Sequence, residues 1–134
     1  MRVKTLRVLA VLGLAHFASL TIGCAALMPP TAATIANADY GAYPANYVEI
    51  AKNWINKTFF DPYSVQDLEV SMPVKHWEYR GFEGPCYGYL IRVSCNAKNR
   101  MGGYTGRQAF YLLIRNGIPV LTWTEEEPYI KTPL

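Results

Sequence analysis

The side chains that could carry chemistry in this 134-residue chain are few and far apart. Cysteines stand at 24, 86 and 95, and histidines at 16 and 76. His16 lies inside an apolar leader, which leaves His76 as the one base for a hydrolase or thiol enzyme, with Cys86 as its nucleophile. No nucleophile elbow or comparable local motif brings the two together. Glu78 and Glu83 flank a turn, and nothing in their spacing makes them converge as the carboxylates of a glycosidase must. A metal site needs clustered ligands at fitting separations, and none is present. Glu125-Glu126-Glu127 reads as a solvated run near the C-terminus. The expectation is a non-enzymatic chain with no catalytic residue, no metal and no cofactor.

The densest polar chemistry lies in residues 96–106, which join two strands and carry three glycines. Lys98, Arg100, Tyr104 and, just beyond, Arg107 make this stretch the candidate ligand or partner loop. Two readings stand side by side. In one, the glycines take positive φ, Asn96 and Asn99 bond the local backbone, and Tyr104 folds over the sheet end. In the other, backbone N–H groups and the three cations form a concave site for an anion or an acidic partner.

The elements that must position this loop begin with the leader. Met1 to Arg7 is basic, and Val8 to Ile22 is an apolar run of about 15 residues, short of the roughly 20 that span a bilayer. It ends in Leu20-Thr21-Ile22-Gly23-Cys24, which resembles the lipobox of bacterial lipoproteins. That resemblance implies cleavage between Gly23 and Cys24, a diacylglycerol on the Cys24 sulfur and an acyl chain on its new amino group. It also implies residence as a palmitate-labelled lipoprotein on the periplasmic face of the outer membrane, since Ala25 rather than Asp follows the cysteine. The inner membrane, or a secreted periplasmic form cleaved after Ala36-Asn37-Ala38, is the alternative.

Charge agrees with an acyl rather than an electrostatic grip on lipid. Three of the 13 basic residues and none of the 10 acidic ones precede Cys24, so the remainder carries equal numbers of each. A neutral chain offers no argument for nucleic-acid binding. Residues 24–43, rich in Ala, Pro, Thr and Gly, predict a flexible tether, and 44–127 a single domain. The last residues, 128–134, predict a frayed tail.

Within the domain, 44–60 predicts a helix. Val48, Ala51, Trp54/Ile55 and Phe59 form its apolar stripe, and Asn46 with Glu49 a capping box. Asp61-Pro62 ends it. The period then changes to two. Leu68–Met72, Val74–Arg80, Tyr87–Cys95, Gln108–Arg115 and Ile118–Trp123 predict strands. Asn116-Gly117 fits a two-residue type I′ hairpin, and Pro119 places the last strand at an edge. The expected fold class is α+β, one helix on a four- to five-stranded antiparallel meander with one apolar face. Nine strand steps between Cys86 and Cys95 span roughly 30 Å, beyond disulfide reach. Two free thiols follow.

Tyr87-Gly88-Tyr89-Leu90-Ile91, Asn96-Ala97-Lys98-Asn99, Gly102-Gly103-Tyr104-Thr105-Gly106 and the earlier Asp61-Pro62-Tyr63-Ser64 together resemble a family of small proteobacterial envelope and prophage-associated proteins. Cys95 and Ala109 depart from its usual Val and Pro. The resemblance implies little chemistry. The functional expectation is therefore a binding or assembly module in the cell envelope, its partner an envelope protein or a glycan. Inhibition of a cell-wall lytic enzyme is a specific form of that role. Ten tyrosines and three tryptophans suit recognition.

Overall fold

The long helix ends just ahead of Asp61-Pro62, and apart from two short 3-10 turns the described chain after it is built on strands. A computed structural model describes residues 28–126 and 132–133. The expected signal segment 1–23, Cys24 and most of the expected C-terminal tail lie outside the described residues. Two helices, α1 (Ala32–Asn37) and α2 (Tyr47–Thr58), precede six strands: β1 (Gln66–Val70), β2 (Val74–Tyr79), β3 (Pro85–Lys98), β4 (Tyr104–Arg115), β5 (Ile118–Thr124) and the two-residue β6 (Thr132–Pro133). The fold is α+β, with every strand pair antiparallel. No described helix is long and apolar enough to cross a membrane.

The sheet runs β6-β5-β4-β3, and the far side of β3 is shared by β1 and β2. β2 pairs with the first half of β3 and β1 with the second half, so the two form one interrupted edge. The interruption is Ser71-Met72-Pro73. There the Ser71 N–H donates to the Arg92 carbonyl at 2.9 Å, and the Arg92 N–H donates to Ser71 Oγ at 2.8 Å. β1 also carries a bulge, with Asp67 at φ +53° where the register shifts. Asn116 and Gly117 both adopt positive φ, +51° and +78°, as their hairpin requires.

α2 buries Ile50, Ala51, Trp54 and Ile55 against Ile91, Val93, Leu112 and Ile114. The stripe is rotated from the expected one: Ile50 faces the sheet, while Val48 is exposed. Asn46 is the N-cap residue, but its side chain makes no capping hydrogen bond. The opposite face of the sheet is apolar too. Leu90 stands opposite Leu113, and Leu113 opposite Leu121, so three leucines line up across β3, β4 and β5. Trp123 and Tyr111 extend this cluster by stacking at 5.6 Å. Strict alternation along β3 puts Leu90 on the same side as Arg92, away from Ile91 and Val93. Only the cross-strand register shows its partners.

Two further expectations change. β5 is not the edge strand, since Leu121 and Thr122 pair with Pro133 and Thr132, which also places part of the expected tail in the sheet. Pro119 escapes conflict because it lies outside that pairing. Part of the stretch expected as a tether is folded. Thr31 caps α1 through its side chain, and Tyr40 is only 7% exposed. The Tyr40 ring meets Tyr87 edge-on at 5.7 Å, and its hydroxyl donates to the Ile35 carbonyl at 3.0 Å. Asp39 pairs with Arg115 at 2.7 Å, and the Ala42 N–H donates to Asn116 Oδ1 at 3.1 Å. Gly41 has φ +75°, and a Cβ there would stand 2.5 Å from Asn116 Oδ1. Glycine is required by that approach. Residues 31–43 thus belong to the domain.

Candidate functional site

β3 and β4 continue further than the sequence suggests and pinch the loop to residues 99–103. Asn99 organises it. Its N–H donates to the Gly103 carbonyl at 2.9 Å, and its Oδ1 accepts from the N–H groups of Met101 and Gly103 at 2.9 and 3.1 Å. The Gly102 N–H returns to the Asn99 carbonyl at 3.0 Å, with Gly102 at φ +79°. Four of the backbone donors that an anion nest would need are therefore bonded within the loop. Asn96 takes no such role: its Oδ1 is buried without a hydrogen-bond partner among the described residues.

Ser64 pins the base of the hairpin to the turn that follows α2. Its Oγ accepts from the Lys98 N–H at 2.9 Å and donates to the Asp61 carbonyl at 2.8 Å. The Ser64 carbonyl accepts from the Tyr104 hydroxyl at 3.2 Å. Lys98 Nζ lies 5.6 Å from the centre of the Tyr104 ring, a preformed cation–π pair. Arg100 is exposed at the tip.

Arg107 leaves this group. Its Nε donates to Ser94 Oγ at 2.8 Å, satisfying a polar atom of a residue only 1% exposed. Its Nη2 reaches both Glu69 at 2.6 Å and the Asp67 carbonyl at 3.3 Å. Arg107 therefore ties β4 across β3 to the bulge in β1. The structure gathers Lys98, Arg100 and Tyr104 and assigns Arg107 to the sheet.

Sequence reasoning missed the apolar part of this end. Tyr63 is 97% exposed and Met101 96%, with Phe60 at 70%. Tyr63 precedes the Ser64 knot and Met101 sits in the loop that the knot holds. A tyrosine beside Pro62 after a helix stop was the available signal, but its exposure depends on Ser64 turning inward.

Of the enzyme candidates, Cys86 stands directly opposite Glu78 across β2 and β3, on the same face as His76. His76 Nε2 lies 3.6 Å from Glu78 Oε2, and its ring is 6.4 Å from Trp123. Glu83 instead faces Arg80, at 3.4 Å, so Glu78 and Glu83 serve different partners. Cys86 and Cys95 are free thiols. Burial pushes both upward in pKa; nearby Arg115 and Arg80 oppose this at Cys86, and Arg107 at Cys95. The thiol, rather than the nucleophilic thiolate, is favoured at each. Among the described residues, no three His, Cys, Asp or Glu side chains group to hold a metal. Compared with family models, curated proteins and solved structures, the chain matches none of them.

Proposed function

We propose that this chain is a lipid-anchored module of the cell envelope that binds a protein or glycan partner through the end of the sheet holding Lys98, Arg100 and Tyr104. The anchor is the acylated Cys24, and the working face is periplasmic. One observation carries the binding role: Tyr63 and Met101 stand almost fully in solvent on a base fixed by Ser64. Exposed aromatic and thioether side chains provide contact area, and such side chains enrich protein interfaces.

The placement of the docked segment supports the same reading. Residues 39–42 attach beside Arg115 and Asn116, at the start of β3, whereas the loop follows its end. The docked segment meets β3 at Tyr87, and the strand from there to Lys98 spans roughly 35 Å. A chain held by its N-terminus therefore presents the loop away from the lipid. The neutral thiols and the separation of Glu78 from Glu83 favour binding over turnover.

Metabolic labelling with palmitate tests the anchor. The chain should take up label and partition with membranes, and Cys24→Ser should abolish both. An unlabelled, water-soluble product starting near Asp39 overturns the anchor.

A further inference from the structure

The sheet has two outer edges, and they differ in how firmly they are closed to a further strand. On one side lies the two-residue β6, which contains Pro133. On the other lie β1 and β2. β1 is bulged, and the Arg107 side chain clamps its Asp67 carbonyl and Glu69. Short edges, bulges and proline all discourage pairing. β2 has none of these. Its six residues run in unbroken register against β3 without proline or glycine, and no described strand lies on its outer side.

Which groups face outward follows from the alternation of an antiparallel ladder. The Arg80 N–H donates to the Gly84 carbonyl at 3.0 Å, so Glu78, His76 and Val74 bond β3, while Lys75, Trp77 and Tyr79 turn their backbone groups to the open side. Two other bonds agree. The Tyr79 N–H donates to Glu78 Oε1 at 3.1 Å, and the Tyr87 carbonyl, opposite Trp77, accepts from Arg115. Lys75, the lysine that could guard this edge, is instead drawn onto the Tyr40 ring, its Nζ 5.1 Å from the centre.

We propose that β2 pairs antiparallel with β2 of a second copy of this chain, about a two-fold axis at Trp77, so that two sheets become one. Opposed residues of such a pair share a face, which places the axis on a residue rather than between two. An axis at Lys75 would oppose two lysines, and one at Glu78 two carboxylates. An axis at His76 would set Val74 against Glu78. At Trp77, Lys75 meets Tyr79, His76 meets Glu78, and the two tryptophans meet each other. Within one strand His76 and Glu78 already approach at 3.6 Å, so the pairing closes a ring of alternating groups. The same axis brings the turn Gly81–Glu83 of one copy alongside Met72 of the other, and Phe82 and Met72 are both largely in solvent. The N–H groups of Lys75 and Trp77 supply four bonds across the axis, to the carbonyls of Tyr79 and Trp77, while the Tyr79 N–H keeps its bond to Glu78. An interface of this length is small and belongs to the weak, reversible class. It does not involve the loop of Lys98 and stands or falls without it.

Cysteine crosslinking reads both the pairing and its register. Full-length chains carrying Cys86→Ser and Cys95→Ser receive Lys75→Cys, Trp77→Cys or Tyr79→Cys and are oxidised with copper phenanthroline in detergent solution, the parent chain serving as blank. Across the axis the two copies of position 77 stand about 5.5 Å apart between Cα atoms, within disulfide reach, whereas two copies of position 75 or of 79 stand roughly 14 Å apart. Trp77→Cys should give linked pairs of chains. Lys75→Cys and Tyr79→Cys should give none singly and should link when combined in one chain. Lys75→Pro separates the ladder from the side chain, because it removes an N–H that faces outward. In sedimentation of the otherwise native chain, wild type and Lys75→Ala should dimerise with rising concentration, and Lys75→Pro at least tenfold more weakly. A wild type that stays monomeric, dimerisation undiminished in Lys75→Pro, equal linkage from positions 75, 77 and 79, or no linkage from either Trp77→Cys or the double replacement overturns the proposal.

Discussion

At the start of β3 the chain is stitched together over long sequence distances. Arg115 binds Asp39 and the Tyr87 carbonyl, Asn116 accepts from Ala42, and the Tyr40 ring lies between Tyr87 and Tyr89. At the end of β3 the bonds of the loop itself are local or reach only Ser64, and large apolar side chains face water. The first end gains stability by burying a tyrosine that the segment ahead of α2 delivers. The second uses its hydrogen bonds to fix a shape and leaves its aromatic and thioether groups uncovered. A chain that gives up burial at one end while building it at the other separates support from contact.

That difference predicts a graded response to substitution. Tyr40→Ala should cost the most, about 3 kcal/mol in urea unfolding, because it removes a buried ring packed on two others. Arg115→Met should follow at about 2 kcal/mol, from the loss of charge-assisted bonds that tie residue 39 to the sheet. Asn99→Ala should cost about 1 kcal/mol. Its sharper signature is faster hydrogen exchange at Met101 and Gly103, whose N–H groups lose their acceptor. Lys98→Ala and Arg100→Ala should each change stability by less than about 0.5 kcal/mol while weakening partner contact. If the cations proved as costly to stability as Arg115, the contrast between the ends would collapse.

Acid sharpens the same contrast. The Gly41 N–H and then Arg115 hold the Asp39 carboxyl below its ordinary value of 3.8. A carboxyl depressed in the folded state contributes stability above its unfolded pKa, and that contribution disappears as pH falls through the lower, folded value. Wild type should therefore lose more stability than Asp39→Asn on acidification below about pH 4. Parallel acid titrations followed by tyrosine and tryptophan fluorescence would read the difference.

Much of this fold is legible in the sequence because its signals are local. Asn116-Gly117 specifies a turn through backbone conformation alone, and Asp61-Pro62 stops a helix by steric conflict with the preceding residue. The spacing of Cys86 and Cys95 along one strand was enough to keep them apart. What escaped reading depends on partners distant in the chain. Tyr40 sits among Ala, Asn and Gly, and only Tyr87 and Tyr89 explain its burial. Leu90 looks misplaced in an alternating strand until Leu113 and Leu121 are aligned with it. At the loop, Lys98, Arg100 and Tyr104 were recognisable as a group because one hairpin carries them. Arg107 was not separable from them, since its contacts to Ser94, Glu69 and the Asp67 carbonyl require the register of three strands and a bulge.

The division of labour between the ends has one direct test. A photo-crosslinking amino acid is placed at Met101 in one chain and at Ile118, beside the Asn116-Gly117 turn, in another, and both are activated in intact cells. The account predicts a discrete crosslinked envelope product from position 101 that weakens with Lys98→Ala and Arg100→Ala, and none of that product from position 118. The same product from both positions, or one indifferent to the two cations, would contradict it.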